Sequence, residues 1–115
     1  MEQDKDNPTL ERQASLFAAL ADPTRLRLLG LLARQQEGRA LCVNALAWRL
    51  GVTQSAVSQH LRVLKNVGLV RGERRGYRVH YFIDPEGLAR CRDLADRVLR
   101  PPEPNEGKGG QESEG

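Results

Sequence analysis

The stretch LAWRLGVTQSAVSQHLRVLKNVGLV, residues 46–70, decides the fold of this 115-residue chain. It predicts a short helix over about residues 43–50, a tight turn at Gly51, and a second helix that ends near Gly68. Glycine readily adopts the left-handed conformation in which helices often end. Thr53 stands at the N-cap position of the second helix, where its hydroxyl can accept from free amides of the first turn.

The second helix has two chemically different faces. One face is apolar at helical spacing, with Val57, Leu61 and Leu64. The other, without any carboxylate, carries Thr53, Gln54, Ser55, Ser58, Gln59, Arg62 and Lys65. Such a face is often only solvated, but amides, hydroxyls and cations also suit base edges and phosphate oxygens. Its place between a glycine-bounded turn and a basic hairpin favours a DNA-reading helix-turn-helix.

A basic hairpin is predicted directly after this helix. Residues 69–74 and 77–83 alternate in polarity and are rich in Val, Tyr, Phe and Ile, with Gly76 between them. The predicted tip, residues 73–76, would form a basic wing. A lone arginine there would only aid solubility, but four arginines within residues 71–78 favour phosphate contacts, and one could reach the minor groove. The candidate contacts are Arg74, Arg75 and Arg78.

The remaining pattern predicts three more helices, over residues 9–21, 23–36 and 85–99. The last two begin with a capping aspartate followed by proline at the first helical position, Asp22-Pro23 and Asp84-Pro85. The second of the three is leucine-rich around its circumference, which suggests burial on several sides. Residues 39–43 could add a short edge strand. We therefore expect a mostly α (α+β) winged helix-turn-helix with about five helices and a two-stranded hairpin.

The last helix is expected to form a dimer contact. Its apolar stripe comprises Leu88, Cys91, Leu94, Ala95, Val98 and Leu99. Because it follows a hairpin that leads away from the core, the simplest partner for the stripe is the same helix of a second subunit, joined by the first helix. The alternative is that the helix folds back on its own domain.

Charge divides the chain into a basic body and acidic ends. The net charge is +3, but residues 101–115 carry −3 and residues 1–8 carry −2, which leaves +8 for residues 9–100. A basic body suits a polyanion partner, because each neutralised phosphate releases counterions. We expect one domain over residues 9–100, a flexible N-terminus over residues 1–8, and a disordered acidic tail over residues 101–115.

Composition also bounds location and chemistry. The chain lacks an apolar run near the roughly 20 residues of a membrane span, and its polar start, MEQDKDNP, does not resemble a signal peptide. Two cysteines are too few for a disulfide scaffold. We therefore expect a cytoplasmic protein. No pairing of nucleophile and base, glycine-rich phosphate loop or carboxylate pair indicates an enzyme, and no cofactor is expected.

Four motifs together resemble the ArsR/SmtB family of bacterial winged-helix repressors over about residues 10–99. They are DPTRLR at 22–27, LCVNALA at 41–47, TQSAVSQHLRVLKNVGLV at 53–70 and RGERRGYRVHYFID at 71–84. The resemblance implies a homodimer through the first and last helices, with the recognition helices in successive major grooves of a near-palindromic operator. Many members of the family release DNA when a metal or a thiol-reactive signal binds.

The metal sites that this resemblance implies are incomplete. The family motif Leu-Cys-Val-Cys is Leu-Cys-Val-Asn here, so that Cys42 matches the first ligand and Asn44, a poor ligand for thiophilic metals, replaces the second. The last helix lacks the histidine of the family's other site. His60 and His80 show no ligand spacing, and each is expected to pack or to lie near DNA. No metal is therefore expected.

A thiol-directed signal remains an open hypothesis. Cys42 lies near a helix start, where free amides can lower a thiol pKa, whereas Cys91 lies on the presumed dimer stripe and is better explained as a small apolar residue. A disulfide or polysulfide link between them, an arsenite site of both thiols, and the absence of any inducer all stay open. A protein-interaction or RNA-binding module is the alternative function, and repression and activation are not distinguished.

Overall fold

Five helices and one antiparallel hairpin form the described part of the chain, residues 8–35 and 40–101 of a computed structural model. The elements in chain order are α1 Pro8–Leu20, α2 Pro23–Arg34, α3 Val43–Leu50, α4 Gln54–Asn66, β1 Val70–Arg75, β2 Arg78–Ile83 and α5 Pro85–Leu99. The predicted winged helix-turn-helix is confirmed. Pro8, assigned from the sequence to the flexible N-terminus, already belongs to α1; residues 1–7 and 102–115 lie outside the described residues.

The predicted helix ends are set by local side chains. Asp22, Thr53 and Asp84 each accept backbone N–H bonds of 2.8–3.2 Å from the first turns of α2, α4 and α5. Gly51 ends α3 with a φ of 72°, a left-handed conformation that favours glycine. The two signals predicted for the helix-turn-helix, the glycine that ends α3 and the threonine that caps α4, are therefore both present. Helix α2 ends at residue 34, two residues earlier than expected.

The core lies where α2, α3 and α4 meet. Its most deeply buried large side chains are Leu28, Leu46, Val57, Leu61 and Leu64. The predicted apolar stripe of α4 thus faces inward, and its polar face is directed outward. Helix α2 buries Leu28 and Leu32 fully and Leu29 and Leu31 in part, whereas the side chain of Leu26 at its first turn is 52% exposed.

The hairpin pairs Val70 with Ile83 at its base and Arg75 with Arg78 at its end. The turn therefore consists of Gly76 and Tyr77 alone, with a φ of 69° at the glycine. The prediction that residues 73–76 form the tip is wrong, because residues 73–75 are paired in β1. The expected edge strand reduces, among its described residues 40–43, to one antiparallel bridge between Cys42 and His80.

Helix α5 folds back on its own domain along its inner face. The thiol of Cys91 is buried, and the buried Gln13 side chain of α1 donates from Nε2 to the Leu94 carbonyl oxygen at 3.1 Å. The outer side of the same stripe is open, with Val98 48% and Leu99 71% exposed. The inner face of α5 thus follows the alternative in which the helix folds back on its own domain, and the dimer contact stays a prediction. No helix in the described ranges is long and apolar enough to cross a membrane.

Candidate nucleic-acid interface

The structure places all the predicted contact residues at the surface. The ten exposed side chains are Thr53, Gln54, Ser55, Ser58, Gln59, Arg62 and Lys65 around α4, and Arg74, Arg75 and Arg78 in the hairpin. Because the stripe containing Val57, Leu61 and Leu64 anchors α4 to the core, the polar face of this helix has a fixed orientation. A rigid, acid-free helix face beside a basic hairpin is the arrangement that reads DNA in winged helix-turn-helix proteins.

The start of α4 is held by side-chain hydrogen bonds. The Thr53 hydroxyl accepts from the Ala56 amide at 3.0 Å, so that this side chain acts as the helix cap. The amide nitrogen of Gln54 donates to the Asn44 side-chain oxygen at 2.9 Å, which joins the recognition helix to α3. Asn44, judged from the sequence only as a poor metal ligand, thus orients a residue of the predicted interface.

One acidic side chain organises the hairpin arginines. Glu73 accepts from Arg71 and from Arg75, the latter at 3.0 Å, and the hydrogen bond from Arg71 is the largest cause that lowers the Glu73 pKa. Both guanidinium groups also lie over the Phe82 ring, at 5.4 and 4.9 Å from its centroid. The ion pairs and ring contacts hold these two arginines in an ordered row along one face of the sheet.

The other hairpin arginines point differently. Successive strand residues face opposite sides of a sheet, so Arg74 lies on the face away from Arg75. Arg78 extends instead toward α3, where its NH1 lies 3.6 Å from the Cys42 sulfur. The wing therefore presents arginines on both faces of the sheet, and Arg78, on the same face as Arg75, reaches across to Cys42.

Tyr77 is a surface feature that the sequence reasoning missed. Its side chain is 99% exposed at the turn between the two strands. The sequence did contain a signal for its exposure, because Tyr77 directly follows the turn glycine within a run of arginines. An aromatic side chain fully exposed at a cationic tip can contact a sugar or a base at a groove edge.

The Cys42 thiol lies at the border of this interface. Cys42 stands at the N-cap position of α3 without a side-chain cap hydrogen bond. The Ala45 backbone N–H is the largest cause that lowers its pKa; burial, the second largest, raises it, and the Asn44 N–H and the Arg78 guanidinium lower it further. A surface hollow of about 320 Å³ lies beside it and is lined by Asn44, Gln54 and Arg78 among others. The thiol is therefore accessible and adjacent to residues of both the recognition helix and the wing.

Cys91 has the opposite environment. It is 5% exposed, its thiol donates to the Val67 carbonyl oxygen at 3.3 Å, and burial raises its pKa. Both cysteines are free thiols, and they contact different elements. Within the described residues, no group of three or more His, Cys, Asp or Glu side chains could hold a metal ion.

The two histidines differ in their contacts. His60 lies on α4 with Nδ1 3.3 Å from NH1 of Arg25. His80, opposite Cys42 on β2, has a buried Nδ1 without a hydrogen-bond partner in the part of the chain that the structure describes. Both histidines thus contact protein groups, and their distance from DNA stays a prediction.

Fold and surface together define a winged helix-turn-helix transcriptional regulator, and comparison with known proteins gives its family. Residues 22–71 match the family described as "Bacterial regulatory protein, arsR family". A "Transcriptional repressor SmtB homolog" of Synechocystis sp. is 43% identical over 89 residues, which are 76% of this chain and 64% of that protein.

Two further relatives extend the comparison. An "Uncharacterized HTH-type transcriptional regulator" of Methanocaldococcus jannaschii is 37% identical over 76% of this chain and 96% of its own length. The solution structure of a homodimeric winged helix-turn-helix DNA-binding domain from Mycobacterium bovis has a TM-score of 0.61 and 36% identity, covering 77% of this chain and 79% of that one. The chain belongs to the arsR family of bacterial regulatory proteins.

Proposed function

We propose that the protein is a homodimeric, sequence-specific DNA-binding repressor that places α4 in the major groove of a near-palindromic operator. The observation that carries this proposal is the exposed, acid-free face of α4 next to the row of hairpin arginines. The chromosome lies in the bacterial cytoplasm, which is where such a regulator would act. A repressor requires binding rather than catalysis, so we propose no enzymatic activity.

The interface divides into side chains that contact base edges and side chains that contact the phosphates of the DNA backbone. Ser58 and Gln59 lie on the exposed face of α4 and carry both donors and acceptors, which suits base edges. Arg62 and Lys65 lie further along the helix and, with the hairpin arginines, suit phosphate oxygens. Repression is favoured over activation because the relative in Synechocystis is named a transcriptional repressor.

Dimerisation is proposed to use the outer sides of α1 and α5. Leu10, Val98 and Leu99 are 43%, 48% and 71% exposed, although their helices pack against each other through the inner faces. Exposed apolar side chains on two adjacent helices are suited to a self-complementary contact about a two-fold axis. The related domain from Mycobacterium bovis is described as homodimeric, which supports a homodimer here.

A thiol-directed signal is proposed to act through Cys42 rather than Cys91. A group added to the Cys42 sulfur would enter the hollow lined by Arg78, Asn44 and Gln54, where it would compete with the Arg78 contact and with the Asn44–Gln54 hydrogen bond. Modification would thus disturb the wing and the recognition helix together. Cys91 is buried against Val67 and is proposed to serve the core.

The second candidate signal is a thiophilic metal or arsenite. It is favoured by relatives named a probable mercury resistance operon repressor in Streptomyces lividans and an arsenic resistance regulator in Pseudomonas putida. Such a site would require the two thiols of this chain, which contact different elements, or thiols from two subunits. Release of the protein from DNA by arsenite but not by alkylation of Cys42 would favour this candidate.

The function is tested with an operator selected from random duplexes. Gln59→Ala should weaken operator binding by about 1–3 kcal/mol and relax the base preference. Arg75→Ala should weaken binding to all sequences alike and reduce the salt dependence by about one released counterion. The measurement is fluorescence anisotropy on the operator and on unrelated DNA at several salt concentrations.

A matched control is Arg34→Ala, which removes an exposed arginine outside the recognition helix and the hairpin. It should leave both affinities unchanged. Equal loss of specificity in the Gln59 and Arg75 variants would contradict the division of roles. Failure to select any operator would favour an RNA-binding or protein-binding module, whose partner binding would not depend on Ser58 and Gln59.

A further inference from the structure

The guanidinium group of Arg25 connects three helices. From the first turn of α2, its Nε donates to the Ala19 carbonyl oxygen at 2.6 Å, and its NH2 donates to the Ala18 carbonyl oxygen at 3.3 Å. Its NH1 lies 3.3 Å from Nδ1 of His60 on the recognition helix. One side chain thus joins the end of α1 to the middle of α4.

The contact with α1 places a positive charge beside the C-terminal end of that helix. The last carbonyl groups of a helix lack partners within the helix and carry its partial negative charge. The last turn of α1 has no basic residue of its own. Arg25 therefore supplies the cation and the donors that this helix end lacks.

The contact with α4 determines the protonation pattern of a histidine. A guanidinium group only donates hydrogen bonds, so Nδ1 of His60 must accept, and the ring proton then resides on Nε2. His60 directly follows Gln59, the residue proposed to read a base. A change in the position of the His60 ring would therefore shift the adjacent turn of the recognition helix.

A nearby carboxylate stabilises this arrangement. The Asp22 side chain accepts from the Arg25 backbone N–H at 3.0 Å, and this bond is the largest cause that lowers the pKa of Asp22. The positive charge of Arg25 lowers it further. The backbone and the guanidinium group of Arg25 are thus both anchored, the former to its own helix and the latter to two others.

We propose that Arg25 is a positioning residue for operator recognition that sets the orientation of α4 relative to α1 through His60. The inference rests on the proposed function, in which α1 belongs to the dimer interface. Two recognition helices must reach half-sites about one helical turn apart, so their tilt from the dimer helices determines the fit to the operator. Loss of the connection would reduce operator affinity more than affinity for unrelated DNA.

A matched pair of substitutions tests the acceptor at Nδ1. The side-chain oxygen of asparagine lies near the position of Nδ1, whereas that of glutamine reaches the position of Nε2. His60→Asn should retain operator affinity within about twofold. His60→Gln should lose about tenfold, the scale of leaving one part-buried donor unpaired. Affinity for unrelated DNA should stay the same in both variants.

A spectroscopic readout separates positioning from general stability. Nitrogen chemical shifts of His60 in the parent dimer should show Nδ1 as a hydrogen-bond acceptor with the proton on Nε2, and Arg25→Gln, whose shorter side chain lacks this contact, should move the Nδ1 shift to that of a nitrogen without a donor. Arg25→Lys, which keeps the charge but loses the forked geometry, should recover α1 stability but not operator affinity. Operator affinity is measured by fluorescence anisotropy, and folding by circular dichroism.

The outcomes distinguish failure of the role proposed for Arg25 from failure of the proposed DNA-binding function. Equal operator affinities of His60→Asn and His60→Gln would overturn the role of Arg25, as would a folded Arg25→Gln variant that binds the operator like the parent. If Arg25→Gln does not fold, the His60 pair alone decides. A parent protein that binds no operator would instead overturn the proposed function.

Discussion

The thiol of Cys42 shows how one residue type acquires different chemistry at two positions of the same chain. Backbone N–H groups at the start of α3 and the Arg78 guanidinium lower the Cys42 pKa below its usual value of 9.0. Burial raises the Cys91 pKa above the same value. Because the thiolate is the reactive form, the two cysteines should differ in reactivity at neutral pH.

We expect iodoacetamide to alkylate Cys42 much faster than Cys91 at pH 7. As pH rises, the Cys42 rate should level off at a lower pH than the Cys91 rate, because the Cys42 pKa is lowered and the Cys91 pKa is raised from 9.0. Mass spectrometry of the digested peptides over time measures both rates. Arg78→Ala should slow alkylation of Cys42 only modestly, because the Ala45 backbone N–H is the larger cause of its lowered pKa. Equal rates for the two thiols would contradict the proposed signal residue.

At the scale of elements, the packing of α5 against the end of α4 depends on one glycine. A Cβ atom on Gly87 would lie 1.7 Å from the Gly68 carbonyl oxygen, which is closer than any real contact. The Gly68 peptide is held in place because the amides of Gly68 and Leu69 donate to carbonyl oxygens of α4 at 2.9 and 3.0 Å. The close approach joins the first turn of α5 directly to the loop that follows the recognition helix.

Gly87→Ala should therefore destabilise the fold by about 3 kcal/mol or more, at the upper end of overpacking effects. Urea unfolding followed by circular dichroism measures the change. Gly30→Ala is the matched control: its Cβ would meet only the end of the Arg34 side chain at 3.3 Å, which can move. Removing a glycine from the interior of α2 should stabilise the protein by about 0.5–1 kcal/mol. Similar effects of the two changes would disprove the close contact.

At the scale of the whole molecule, the proposed dimer surface is the outer side of α1 and α5. The inner stripe of α5 is used within the subunit, which leaves Val98 and Leu99 with Leu10 of α1 at the surface. Burial of such side chains contributes about 1.5–3 kcal/mol each. Operator recognition would depend on this surface, because a two-fold arrangement of recognition helices requires a dimer.

The double substitution Val98→Asp and Leu99→Asp should weaken dimerisation at least about 100-fold, because each change removes apolar burial and adds a charge. Analytical ultracentrifugation over a range of concentrations measures the dimer dissociation constant. Trp48→Asp is the matched control, since Trp48 is 82% exposed on α3, outside the proposed interface. An unchanged dimer in the double variant would place the interface elsewhere.

Local interactions explain which features could be predicted from the sequence. The caps at Asp22, Thr53 and Asp84 each involve residues two or three positions apart, so their geometry follows from the helix itself. The buried stripe of α4 follows from helical periodicity, and the exposed polar face follows from the stripe. The ten contact candidates were therefore identifiable, and their contacts with DNA remain predictions.

Only the tertiary structure decided which distant residues meet. Arg25 and His60 are 35 positions apart, and Arg78 and Cys42 are 36 apart, so their contacts exist only after the core has set the helices and hairpin in place. Likewise, a glycine at position 87 has no local signature of its contact with Gly68. The sequence alone determined the helices, the hairpin and the chemistry of the recognition face, because these depend on neighbours along the chain. The connections between that face, the thiol and α1 depend on packing across the core.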